Sequence, residues 1–166
     1  MRLDPKIDPK IDVATWLAVQ GLMAGYSAVL DQRELARWPD FFTEHGVYRL
    51  QSRENHERGL PLATLAFESR AMLRDRVYAA TETIFHDPYY QRHIVSVPRL
   101  LAVDATGIRC ETNYLVIRTP RDAMPEVLSV GRYLDHIVDT EAGLRFAERL
   151  VIFDNDLVAN SLIDPI

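Results

Sequence analysis

The sequence predicts an α+β fold, with helices packed on a strongly curved, mostly antiparallel sheet that wraps into a cone. Three observations carry this. Helical periodicity fills the first half of the chain and strand-like runs fill the second, and segregated helices and strands are the α+β layout. Four long runs rich in Val, Ile, Leu and Tyr follow one another between residues 92 and 153, separated by turn-like pieces, as in a meander of antiparallel strands. The chain has 166 residues, 48% of them hydrophobic and 26% charged. A chain of roughly 150 residues buries about 68–70% of its unfolded surface, enough for one core without staples.

Each element has its own reason. The tetrad DPKI occurs at residues 4–7 and again at 8–11. Proline removes a donor and biases its neighbour away from helix, so residues 1–12 read as an extended arm and residues 13–166 as the single domain. Over residues 13–35, Trp16, Val19, Gln20, Met23, Ser27 and Leu30 recur at helical steps. Asp12 stands where an N-cap belongs, with Thr15 following. Gly21 and Gly25 weaken a helix and mark close packing. Residues 31–40 read as a second short helix stopped by Pro39, and Phe41 and Phe42 anchor the turn after it. Residues 46–52 alternate as a strand.

Residues 60–83 read as a further helix, with Leu65, Ser69, Met72, Leu73, Arg76 and Ala80 on one face and Glu68, Arg70, Arg74 and Asp75 on the other. A loop with His86, Asp87 and Pro88 follows. The four strands then cover residues 92–103, 108–118, 127–138 and 144–153.

Composition excludes several function classes. A net charge of −5 argues against nonspecific attraction to nucleic acid or to an anionic membrane. The single cysteine, Cys110, excludes a disulfide within the chain and a cysteine-rich metal site. It reads as a buried, inert thiol, with nothing cationic placed to activate it. The opening MRLDPKIDPKID lacks the apolar core of a signal peptide. No apolar run reads as long enough to cross a bilayer. The expected location is the cytoplasm.

The stretches Trp38-Pro-Asp-Phe-Phe-Thr, Met72-Leu-Arg-Asp-Arg, Tyr90-Gln-Arg-His-Ile-Val-Ser, Gly131-Arg-Tyr-Leu-Asp and Leu144-Arg-Phe-Ala-Glu-Arg-Leu-Val-Ile-Phe-Asp, in this order and spacing, resemble the small (β) subunit of Rieske-type aromatic-ring-hydroxylating dioxygenases. That family has the nuclear-transport-factor-2-like (NTF2-like), or cystatin-like, fold. The resemblance runs from about residue 13 to the end of the sequence, and the look is nearest to terephthalate- or salicylate-type oxygenases.

The resemblance implies a non-catalytic subunit with no cofactor of its own. A large (α) subunit would carry the Rieske 2Fe–2S cluster and a mononuclear iron. The small chains would form a trimer, and three large and three small chains the complex. The resemblance also implies bracing or interface roles for Tyr90, Arg92, His93, Arg132 and Tyr133.

The residues themselves leave an enzyme reading open. His93, Val95 and Val97 share one face of a strand, Arg92, Ile94 and Ser96 the other. If the first face lines the cone, His93 stands at its mouth, with Asp31 or Asp135 as acid–base partner for a dehydratase or isomerase. A third reading is a small-molecule carrier that uses the cone without chemistry. His45, His56, His86, His93 and His136 lack the spacing of a two-histidine, one-carboxylate iron site, so no metal is expected here. Ser161 has no nucleophile-elbow signature around it.

Tyr89 and Tyr90 supply ring area with a polar tip, as at interfaces. Arg132 is expected to pair with Glu148 or Asp135. The tail beyond Asp154, with Leu157, Val158, Leu162, Ile163 and Ile166, is too apolar to stay undocked. The resemblance favours docking across a trimer; docking on its own domain is the alternative.

Overall fold

A computed structural model describes residues 12–83, 88–155 and 162–166. Helix α1 runs over Val13–Asp31. The Asp12 carboxylate accepts from the Thr15 N–H at 2.6 Å, so the expected N-cap satisfies one of the free N–H groups of the first turn. A 3-10 turn at Leu35–Phe41 leads into β1 (Phe42–Ser52), followed by α2 (Arg53–Glu57), β2 (Leu65–Phe67), α3 (Arg70–Tyr78) and a π turn at Ala79–Thr83. Strands β3 (Tyr89–Val95), β4 (Arg99–Asp104), β5 (Gly107–Pro120), β6 (Glu126–Thr140) and β7 (Gly143–Phe153) follow.

The strands form one open, seven-stranded sheet in the order β2-β1-β7-β6-β5-β3, with β4 beside β5. β5, β6 and β7 make the expected antiparallel meander. β1 returns parallel to β7, so the sheet is mixed. Two glycines are required by geometry. Gly107, at φ 127°, makes the turn between β4 and β5 in a conformation that L side chains rarely adopt. A Cβ at Gly131 would lie 1.9 Å from the Ile152 carbonyl oxygen, so only glycine lets β6 approach β7 this closely.

Helix α1 covers one face of the sheet. Val19, Met23, Tyr26, Val29 and Leu30 are buried, at the three- and four-residue steps of a helix with one inward stripe. They meet Tyr114, Tyr133, Phe146 and Val151 within the same cluster. This is called the inner face below, and the opposite side the outer face.

Four expectations on the elements are corrected. Residues 60–83 are not one helix, because Leu65–Phe67 pairs with β1 as a short strand and α3 starts only after Ser69, whose hydroxyl caps it. Residues 92–103 are two strands, interrupted where Pro98, which has no N–H to give a ladder, lies between β3 and β4. Val97 therefore leaves the His93 face and is exposed. Finally, α1 is long and apolar enough, by length and composition alone, to cross a membrane, with a mean hydropathy of 1.4. Its inward stripe packs on the sheet instead.

Part of the tail lies among the described residues. Among its described residues, Ile163 and Ile166 sit in the core of their own domain. Tyr26 Oη donates to the Ile166 carbonyl at 3.0 Å and Tyr48 Oη at 3.1 Å, and the Ile166 N–H donates back to Tyr48 Oη. Arg76 donates to the carbonyls of Leu162 and Ile163. Docking of this segment is thus on its own domain and not across a trimer, because its backbone polar groups find their partners there. Residues 1–11 of the arm, His86, Asp87, Leu157, Val158 and Ser161 lie outside the described residues.

Candidate functional site

His93 and Asp31 come together. β3 is the last strand at its end of the sheet order, so one side of its backbone has no strand partner. Asp31, at the C-terminal end of α1, fills that place: the His93 backbone N–H donates to its Oδ1 and Oδ2 at 3.0 and 3.2 Å. His93 Nδ1 lies 2.7 Å from Asp31 Oδ1. An ionised carboxylate only accepts, so the ring proton sits on Nδ1. One carboxylate thus holds both the edge backbone and the ring of the same residue. Gln91 continues the seam, its side-chain amide donating to the Leu30 carbonyl at 3.1 Å. The His93 side chain is fully buried, and its Nε2 has no hydrogen-bond partner.

Asp135 is elsewhere. It pairs across the β6–β7 ladder with Arg149. Arg149 Nε and Nη2 contact Asp135 Oδ1 and Oδ2 at 2.8 and 2.9 Å, a bidentate pair with both side chains fully buried. The guanidinium carbon lies 4.1 Å from the Tyr26 ring centre, 4.2 Å from that of Tyr133 and 3.9 Å from that of Phe146. Burial pushes the Asp135 carboxyl above the usual range, with Arg149 pulling the other way. Burial also opposes charge on Arg149, but Asp135 outweighs it and the guanidinium stays charged. Such a pair needs excellent geometry to offset its desolvation, and the aromatic faces add cation–π attraction.

The other expected residues separate by face. Tyr133 is an inner-face residue, stacked on Tyr114 with ring centres 4.5 Å apart and 1% exposed. It braces the core and touches no outer surface. Tyr90 and Arg92 lie on the outer side of β3 and are exposed. Arg92 Nη1 reaches Asp31 Oδ2 at 3.9 Å. Arg132 pairs with Glu111, at 3.8 Å, and not with Glu148 or Asp135. Asp135 points inward, and Glu148 faces His136 across the ladder. Tyr89 is half-buried, its hydroxyl 3.4 Å from Asp164 Oδ2 and its ring near the Arg33 and Arg118 guanidiniums. Burial, reinforced by Asp164, pushes its phenol up to about 12. Cys110 is buried, and burial pushes its thiol up, away from reactivity.

Arg149 makes a fully buried bidentate pair with Asp135 and was not singled out from sequence. The signal was there. Arg149 alternates in step with Val151 and Phe153, and Asp135 with Tyr133 and Ile137. Opposite charges on the apolar faces of two strands joined by a tight turn imply a buried pair.

A Rieske centre needs two cysteines and two histidines. With one cysteine the residues of this chain do not fit it. Among the described residues, no three His, Cys, Asp or Glu side chains converge in a way that would hold a metal ion.

Residues 12–150 match the model of the SnoaL-like domain. The anthranilate 1,2-dioxygenase small subunit of Burkholderia cepacia is 34% identical over 155 residues, 93% of this chain and 96% of that one. Subunit β1 of the terminal oxygenase component of terephthalate 1,2-dioxygenase from a Comamonas species is 29% identical, over 90% of this chain and 97% of that one. A crystal structure from Novosphingobium aromaticivorans, assigned as the β subunit of an aromatic-ring-hydroxylating dioxygenase, superposes with a TM-score of 0.84. It is 28% identical, covering 92% of this chain and 97% of that one.

Proposed function

We propose an assembly role for this chain, which belongs to the SnoaL-like family and, within it, to the small subunits of aromatic-ring-hydroxylating dioxygenases. It is the non-catalytic subunit of such an oxygenase, present to seat the large subunits. The observation that carries the role is the position of the Asp31–His93 pair. A general base needs hydrogen-bond reach to a substrate proton. Here the carboxylate is engaged by the sheet edge and the free ring nitrogen is sealed in the core. The same groups that would serve a dehydratase or isomerase close the join between α1 and β3.

In this reading the large partner subunits hold the Rieske cluster and the mononuclear iron. The small chains form a trimer beneath them, three of each, in the cytoplasm. The substrate of the assembled enzyme is a monocyclic aromatic carboxylate. The names of the anthranilate and terephthalate relatives support that class, and the large subunit selects within it.

The test is the His93→Ala variant, co-expressed with the large oxygenase subunit of the same source. The expected result is a lower Tm and a lower yield of complex, with turnover per iron within about twofold of the parent, since catalytic acid–base groups contribute about a hundredfold or more. A hundredfold loss of turnover in a fully assembled, stable complex would overturn the assembly role.

A further inference from the structure

We propose that residues 162–166 are a latched plug over an interior site for a small neutral aromatic carbonyl compound, and that Arg33 is the latch. The inference stands apart from the assembly role, because it concerns the inside of this chain alone.

The backbone of Arg33 is the first sign. The chain leaves α1 through a Schellman motif: the Glu34 N–H donates to the Val29 carbonyl at 2.9 Å and the Arg33 N–H to that of Leu30 at 3.0 Å. The residue just past the cap of this motif is left-handed and usually glycine. Here it is Arg33, at φ 57°, and among the described residues it is the only non-glycine with a positive φ. A side chain in that conformation is unfavourable, and such an outlier points to a use for the side chain. Arg33 Nη1 lies 3.3 Å from Asp164 Oδ2; the Asp164 side chain is 1% exposed and that of Arg33 35%. Tyr89 Oη meets the same oxygen at 3.4 Å. A partly solvated cation at the end of α1 thus holds a buried carboxylate of the segment 162–166.

The segment is fastened by side chains and not by a ladder. None of its residues belongs to a helix or strand. Arg76 Nη2 donates to the Leu162 and Ile163 carbonyls at 2.7 and 2.8 Å, and Tyr26 and Tyr48 hold Ile166. The segment can therefore leave without opening the sheet, a local opening below the global one. Its hold is incomplete, since Asp164 Oδ1 and Arg76 Nε are buried without a hydrogen-bond partner, which weakens the closed state.

What the segment covers has the character of a ligand site. Ile163 and Ile166 share the core with Tyr26, Trp38, Phe42 and Tyr48, and Phe67 packs against that cluster. These rings stand in a chain: Tyr26–Phe42 at 6.5 Å, Phe42–Trp38 at 5.8 Å, Trp38–Tyr48 at 5.3 Å and Tyr48–Phe67 at 6.1 Å between centres. Two hydroxyls converge on one acceptor, the Ile166 carbonyl, at 3.0 and 3.1 Å. Trp38 Nε1 donates to Tyr26 Oη at 3.1 Å, which leaves the Tyr26 proton for the carbonyl. Burial pushes both phenols up, so they remain neutral donors. The charge of Arg149 is balanced by Asp135, so the site offers no net charge to an anion. A carbonyl oxygen on a flat ring meets the two donors as Ile166 does, with its ring against aromatic walls. An apolar cavity of about 150 Å³ takes benzene, and acetophenone has as many carbon atoms as the side chains of Ile163 and Ile166 together.

The experiment follows amide exchange by mass spectrometry in the peptide carrying residues 162–166, and acetophenone binding by saturation-transfer NMR. The proteins are the parent, Arg33→Gly, Asp164→Asn and, as control, Arg37→Ala on the exposed 3-10 turn. Glycine suits φ 57° better than arginine, so loosening in Arg33→Gly reports the lost guanidinium and not the backbone. In the parent the peptide should exchange faster than those of β5–β7. Both latch variants should speed it about tenfold or more, as a hydrogen-bonded charged contact is lost, with β5–β7 and the control unchanged. Acetophenone should bind the latch variants tighter by the same factor, because apparent affinity follows the open fraction, and should speed exchange of the segment it displaces. Should Arg33→Gly unfold, Arg33→Asn, which tolerates the left-handed region, reads the same latch. A segment that exchanges only together with β5–β7 overturns the proposal. So do latch variants that loosen without taking up acetophenone, and so does acetophenone bound equally by parent and variants.

Discussion

The two sides of β5 and β6 are built from alternate residues of the same strands, yet they follow opposite rules. The inner side contains charge and hides it: Asp135 and Arg149 are fully buried, paired and sheathed by Tyr26, Tyr133 and Phe146. The outer side contains aliphatic groups and exposes them at Ile94, Val127 and Val130. Each is an exception on its own side, since Arg109, Glu111, Arg132 and His136 still make the outer side the more polar of the two. What decides is partnership. A buried charge is tolerable when its lone pairs and protons are met, and an exposed apolar row is a liability until something covers it. The inner side has both of its charges paired within one chain, although Arg149 Nη1 and Tyr133 Oη have no hydrogen-bond partner there, and the outer side leaves its aliphatic row uncovered.

Breaking the inner side should have the largest effects. Deleting Leu162–Ile166 removes Ile163 and Ile166 from the core and leaves Tyr26 and Tyr48 without their backbone partner. Full burial of each isoleucine contributes about 1.5–3 kcal/mol, so a loss of about 3–6 kcal/mol is expected, read as a fall in the urea midpoint. A deletion that changed native mass while leaving the midpoint in place would mean that this segment serves an interface instead.

Arg149→Met should cost about 3–5 kcal/mol, since it strands the Asp135 carboxylate in the core. The double variant Arg149→Met with Asp135→Leu should recover most of that loss, because no unpaired charge remains. A double variant no more stable than the single one would show that the aromatic sheath, and not the ion pair, organises this side. Asp31→Asn tests the seam between helix and sheet. It weakens two charge-assisted contacts to His93, for an expected loss of about 1.5–3 kcal/mol. Amide exchange at His93 should rise with it.

The outer side should barely respond in the isolated fold. Val127→Thr and Tyr90→Ser alter exposed side chains and should change monomer stability by no more than about 0.5 kcal/mol. A loss above 2 kcal/mol in a monomeric sample would show that these residues support the domain itself.

The contrast also explains what the sequence made legible. Order and type of most elements followed from periodicity: α1, β1 and the β5–β7 meander. The short helix expected over 31–40 is instead a 3-10 turn at Leu35–Phe41 that runs through Pro39 and does not stop at it. The helix expected over 60–83 failed because apolar residues at helical spacing there serve a three-residue strand and a later helix, and edge pairing with β1 overrode the local pattern. The Asp31–His93 pair was named from sequence as one of two choices. Its job was not legible, since the free N–H side of β3 exists only once the strand order is known. Which face of β5 turns inward was legible where Arg109, Glu111 and Asn113 alternate with Ile108, Cys110 and Tyr114, and hidden beyond, where Leu115, Val116 and Ile117 are apolar on both sides and alternation loses its direction. The charges add a marker, for Arg149 and Asp135 pair across the β6–β7 ladder on the buried face.

The smallest expected effect lies where the inner side reaches solvent. Tyr89 is half-buried against Asp164, and its phenol is raised to about 12, first by burial and then by that carboxylate. An unfolded tyrosine has a pKa of about 10. A folded pKa above the unfolded one means that the contribution of this group is fully present below about pH 10 and is lost as the pH climbs through about 12. Tyr89→Phe removes the hydroxyl and with it the titration. The variant should therefore be less stable than the parent at pH 8, with the gap narrowing between about pH 10 and 12. The effect is modest because the ring is partly solvated and the contact with Asp164 is long, at 3.4 Å. Thermal melts of the two proteins across that range are the measurement. A gap that stays constant with pH would mean that the hydroxyl contributes only packing, and that the Asp164 carboxylate is held by Arg33, 3.3 Å away, without help from Tyr89.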